Sequence, residues 1–193
     1  MPSRAAQQVR RCSYSYVRLH SGVVSLHAIQ LIQQEFANTH LALREDMAEV
    51  PADWLFWQPD PGLNHIGFLF WHLVRDEDTV VSWVTHQPEL WVSAAWHERL
   101  GMDPQEQGTG LDPSNIGEFR YDPVVFQEYA EAVWARTGPA LGTLTEEDLD
   151  RAAWKDSPWN IGQQLVEGSL CHAWVHLGEI RYVMGLRGWR FRE

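Results

Sequence analysis

The feature that most narrows the fold is a three-and-four spacing of apolar residues in four separate segments, each bounded by a capping residue, proline or glycine. In the first, Leu26, Ile29, Ile32 (or Gln33), Phe36, His40 and Leu43 mark one face of a helix over 25–48, closed by Pro51. Pro51, Pro59, Pro61 and Gly62 then read as a connection. Asn64 caps a second helix whose inward stripe is Leu69, His72, Leu73, Asp76, Val80 and Trp83. Pro88 restarts a shorter helix that ends at Leu100, with Gly101 just beyond it. Residues 101–121, rich in Gly, Pro, Asp and Asn, read as a long loop of the kind that often covers a site. Asp122-Pro123 starts a third long helix carrying Val124, Phe126, Tyr129, Val133 and Trp134, its end disturbed by Gly138-Pro139. Thr145-Glu146-Glu147-Asp148 resembles the acidic first turn of a small helix. The fourth long helix runs from Asn160 to Gly185 with Ile161, Leu165, Ser169, His172, His176, Ile180 and Val183 on one stripe. The expected fold is all-α: an antiparallel four-helix bundle with an additional short helix and a long loop between the second and third core helices.

Composition fits one domain, since 45% hydrophobic residues in 193 supply a single sizeable core. A formal net charge of −11 repels phosphate backbones and argues against nucleic acid as a partner. No run of apolar residues is long enough for a membrane span. Cys12 and Cys171 are too few for a disulfide framework, and with no secretory signal pattern a cytoplasmic location is expected; Cys171 reads as a small buried residue. Met1 to Gln34 holds Arg4, Arg10, Arg11 and Arg18 but no acid, so 1–24 reads as a loose leader ahead of a domain over 25–193, with an organellar presequence as the alternative. Eleven tryptophans divide between core and a cavity or interface, which leaves a homodimer open.

Chemistry concentrates in His172-Ala-Trp-Val-His176. Residues four apart on a helix stack on one face, so these two imidazoles converge on a single point, and a divalent ion there occupies one nitrogen of each. The third ligand must come from another helix, and His72, flanked by apolar turns on both sides, is the best placed. His65, on the same face one or two turns upstream, is its main competitor. Asp76 and Glu179 fall within a turn of the three histidines; Glu179 is read as an acceptor for a ligand imidazole, a direct ligand or a base, against the bland alternative of a surface pairing with Arg181. Imidazole ligands suit zinc or nickel and do not exclude iron or cobalt.

The segments Asn64-His65-Ile66-Gly67-Phe68-Leu69-Phe70-Trp71-His72-Leu73 and His172-Ala-Trp-Val-His176-Leu-Gly178-Glu179-Ile180 resemble the DinB-like metalloprotein superfamily, over about residues 26–186. The resemblance implies a four-helix bundle that binds a divalent metal through His72, His172 and His176. It also implies an activity of the kind found in relatives that use mycothiol or bacillithiol, in which a small thiol is activated toward an electrophile. Many members carry Gln where this chain has Glu179, which makes the chemistry less transferable than the metal. The leading expectation is therefore a metal-dependent thiol S-transferase acting on a small-molecule electrophile, with a low-molecular-weight thiol as cosubstrate. A metal-dependent hydrolase using Glu179 as base and a non-catalytic metal-stabilised binding or sensing bundle are the alternatives.

Overall fold

Asp122 accepts hydrogen bonds from Val124 N and Val125 N and starts a helix at Pro123, as the Asp-Pro pair predicts. Asn160 and Gln163 form a reciprocal capping box that starts the last helical segment, and Thr145 and Asp148 form another. The computed structural model describes residues 27–190; the leader expected over 1–24 and the final Phe191–Glu193 lie outside them. Within this span α1 is Ala28–Ala48, α2 Ala52–Leu55, α3 Ile66–Thr85, α4 Leu90–Ser93, α5 Trp96–Leu100, α6 Pro113–Ile116 and α7 Pro123–Leu141. A 3-10 turn at Glu146–Asp150 leads to α8 (Ile161–Gln163), a π-helical stretch (Gln164–Cys171) and α9 (His172–Leu186), which run on as one rod. Among the described residues there is no sheet, only an isolated bridge between Ala152 and Asn160.

The four long elements pack in the cyclic order α1, α7, α3, α9. Cross-contacts fix their directions. Arg44 meets Glu131 and Gln33 meets Gly138, so α1 and α7 are antiparallel. His72 meets His176 while Asp76, one turn on, meets Ser169 two turns back, so α3 and α9 are antiparallel as well. Phe70 packs on Phe126 and Glu77 on Thr137, so α3 and α7 run parallel. The connection over 86–122 makes this possible by returning along the length of α3 before α7 begins.

One core cluster gathers Leu43, Leu69, Leu73, Phe126, Ile180 and Val183, and a second gathers Ile32, Phe36, Val81, Leu141 and Leu165 at the opposite end. Each such side chain, fully buried, contributes roughly 1.5–3 kcal/mol. Between them α3 carries buried Trp71, Arg75 and Asp78 as well as its apolar stripe, so it is enclosed on nearly every side.

Several local expectations change. The α3 cap is His65, not Asn64: its Nδ1 accepts from Phe68 N, and its Nε2–H donates to Ile116 O at 3.0 Å. The segment predicted as a single helix to Leu100 is broken at Ala95, which sits at φ 54°. A one-turn helix, α2, interrupts the connection over 51–63. Trp83, predicted inward, is exposed. Cys171, predicted buried, is also exposed. In both cases apolar or small character suggests the core, although that character alone does not decide burial. No helix among the described residues is long and apolar enough to cross a membrane.

Candidate metal centre

The α3–α9 seam brings His72, His172 and His176 together. Ring centroids lie 5.0 Å apart for His72 and His172, 5.4 Å for His72 and His176, and 4.4 Å for His172 and His176. One ring nitrogen from each falls within 4.8 Å of the other two. Three imidazoles sharing a tetrahedral ion at about 2.05 Å would hold their nitrogens about 3.3 Å apart, so closing on a cation needs a contraction of at most about 1.5 Å. The donor set of three imidazole nitrogens fits a borderline divalent ion.

Two of the three rings are already oriented. His72 Nδ1 lies 2.7 Å from Gln107 O, and a carbonyl only accepts, so Nδ1 carries the proton and Nε2 is the free donor atom. His176 Nδ1 lies 2.7 Å from Glu179 Oε2 and is fixed by the same argument. Partners of this kind set the tautomer and aim of metal-binding imidazoles. Burial holds the His72 pKa below its ordinary value, opposed by its bond to Gln107 and reinforced by the neighbouring imidazoles. His172 has a looser neighbour: Asp76 Oδ2 stands 3.6 Å from its Nδ1 and accepts from Ser169 Oγ at 3.1 Å. The His172 side chain is 28% exposed, so the cluster is reachable from solvent.

The long loop supplies the clamp on His72. Glu106 Oε1 accepts from Gln107 N and Gly108 N, folding the loop so that Gln107 O points at the ring. Arg75 Nε donates to Glu106 O at 3.3 Å and Trp91 Nε1 to Asp103 O at 3.1 Å, which tie the same stretch to the bundle. Gly108 sits at φ +78°, and a Cβ there would stand 2.8 Å from Trp71 Cζ3 and 3.1 Å from His72 Nδ1. Only glycine combines that backbone with that close approach.

Of the residues singled out by sequence, His72, His172 and His176 meet. His65 does not join them: it is fully buried as the α3 cap, and burial lowers its pKa to about 4. Glu179 pairs with His176 rather than with Arg181, whose Nε donates to Asp46 instead. Gln107, Gly108 and Glu106 escaped the sequence reading because a backbone carbonyl leaves no residue-type signature; the glycines at 108 and 110 in the loop were the available signal.

Fold and cluster together define an all-helical bundle protein with a potential metal-binding histidine triad. The chain matches no family model and no curated protein. Among solved structures it is similar to the crystal structure of a conserved protein from Enterococcus faecalis, with a TM-score of 0.70 and 22% identity over 82% of this chain and 96% of that one. That likeness concerns the fold.

Proposed function

We propose that this chain is a DinB-like metalloenzyme that binds a divalent ion, zinc or nickel in first place, through His72, His172 and His176, and uses it to transfer a small thiol to an electrophile. The observation that carries the reading is the convergence of three imidazoles from two helices, two with their Nδ1 atoms committed to acceptors. Held by these three imidazoles, a divalent ion would supply the positive charge that lowers the pKa of a thiol or water reaching it.

The chain's own residues do the rest. Gln107 O and Glu179 hold two rings in the ligating tautomer, and Asp76 stands by the third. The Glu179 carboxylate, 46% exposed, would take up the thiol proton by way of solvent. The sulfur then bonds to the electrophilic carbon as the leaving group departs with the electron pair of the broken bond. Glu179 would serve equally as the base for a water nucleophile, which is what keeps metal-assisted hydrolysis as the second reading.

The test has two parts. Zinc and nickel titrations of the full chain should show one site, with affinity falling at least 100-fold in His172→Ala and in His176→Ala. Metal-replete protein should then conjugate mycothiol, bacillithiol or glutathione to an electrophile faster than chelator-treated protein. Uptake of neither metal sinks the site; uptake without any thiol conjugation sinks the transferase.

A further inference from the structure

One turn along the α3–α9 seam from the histidine triad lies a groove of about 250 Å³. Its position follows from the antiparallel packing: Leu69 is one turn before His72 on α3, and Glu179 and Val183 are one and two turns after His176 on α9. Leu63, Leu69, Tyr182, Val183 and Leu186 give it apolar walls, and among the described residues Glu179 is the sole charged residue lining it. Leu63, Tyr182 and Leu186 are exposed, so the groove is open to solvent along its rim. Glu179 is common to both places, since the carboxylate that lines the groove also accepts from His176 Nδ1 at 2.7 Å. A molecule lying in the groove therefore sits against the carboxylate that holds His176.

Size and charge specify the occupant. A cavity of about 150 Å³ holds benzene, so 250 Å³ takes an aryl group with a substituent or a chain of about six to eight carbons. Apolar walls gain from desolvating such a tail. A carboxylate or phosphate on the tail would meet Glu179 and no cationic side chain of the lining. We propose that this groove holds the uncharged, aryl or short alkyl tail of the substrate whose reacting group lies at the histidine triad. This rests on the reading of the triad as a metal-dependent catalytic site, and it adds the substrate class: small, apolar at one end, and without an anionic tail.

Fluorine NMR titrations of the full chain, with and without zinc, test this with 4-fluorobenzyl alcohol as the neutral probe and 4-fluorobenzoate as the anionic one. The neutral probe should bind saturably and at least tenfold more tightly than the anion. Leu186→Trp fills the groove and Leu63→Asp charges its rim; both positions are exposed, and each substitution should weaken the neutral probe at least tenfold while leaving zinc uptake unchanged. Absence of saturable binding, equal affinity for the two probes, or indifference to both substitutions overturns the groove. Zinc titration of the same samples separates the two ideas. Zinc uptake without probe binding overturns the groove and spares the metal site, whereas groove-dependent probe binding without zinc uptake upholds the groove and overturns the metal.

Discussion

Gly108 and His65 show how single positions decide what the triad and its surroundings can be. At Gly108 a methyl group has no room beside the buried Trp71 ring and must adopt a left-handed backbone. Gly108→Ala is expected to cost about 1–3 kcal/mol and to weaken metal binding, because what yields is the ring of His72 or the loop that orients it; denaturant melts and a zinc titration read the two effects separately. His65 acts through protonation. Its folded pKa, about 4, lies below the ordinary value near 6.5, so between these values the unfolded chain binds the extra proton and the folded chain does not. Its contribution is intact above pH 6.5 and is lost as pH falls toward 4, by up to about 3 kcal/mol. Urea midpoints should fall across that window in the parent protein, and the slope should be shallower in His65→Gln. A parent midpoint flat from pH 7 to 4.5 would contradict this.

Among the elements, the π-helical stretch and the long loop do the positioning. In a π turn the hydrogen bonds run i to i+5, and Leu165 and Leu170, five apart, are both buried where a regular α-helix would turn one of them aside. The stretch ends where α9 begins, at His172, so the phase of both α9 histidines depends on it. The loop acts on His72. Glu106 binds two successive backbone N–H groups and aims Gln107 O at His72. Glu106→Ala should lower metal affinity about 10–100-fold with helix content unchanged, as losses of ligand-orienting partners do. A competition titration against a chromogenic chelator, paired with circular dichroism, measures both; full affinity in the variant would remove the loop from the site.

At the scale of the whole molecule, a buried polar network ties together elements that the first apolar cluster also joins. Asp78, fully buried, accepts from Tyr129 Oη at 2.8 Å, from Arg136 Nη2 at 2.7 Å and from the backbone N–H groups of Leu90 and Trp91, and lies 3.4 Å from Arg75 Nη1. It thereby binds α3 to α7 and to the start of the crossover connection. Removing one partner of such a set strands the others without water. Asp78→Ala should therefore cost about 3–5 kcal/mol and lower the melting temperature by about 10 °C or more. A variant that melts within 2 °C of the parent would show that the network is dispensable. His40, Glu77 and Thr137 make a second buried set linking α1, α3 and α7.

The periodicity of apolar residues and the Asp122-Pro123 cap were enough to place four long helices, because helix formation answers to local spacing and capping chemistry. The i,i+4 pair at His172 and His176 and the apolar setting of His72 were likewise legible, since helical geometry converts spacing into a shared face. Direction and orientation were not. Whether α3 and α7 run parallel depends on where the connection over 86–122 crosses, and no local pattern encodes that. The aim of His72 depends on a main-chain oxygen that every residue possesses. The exposure of Cys171 and Trp83 depends on which neighbours reach them. Sequence determined the four long helical segments and which imidazoles share a face; only tertiary packing decided which acceptors orient them and what space opens beside them, because those are distances between segments remote along the chain.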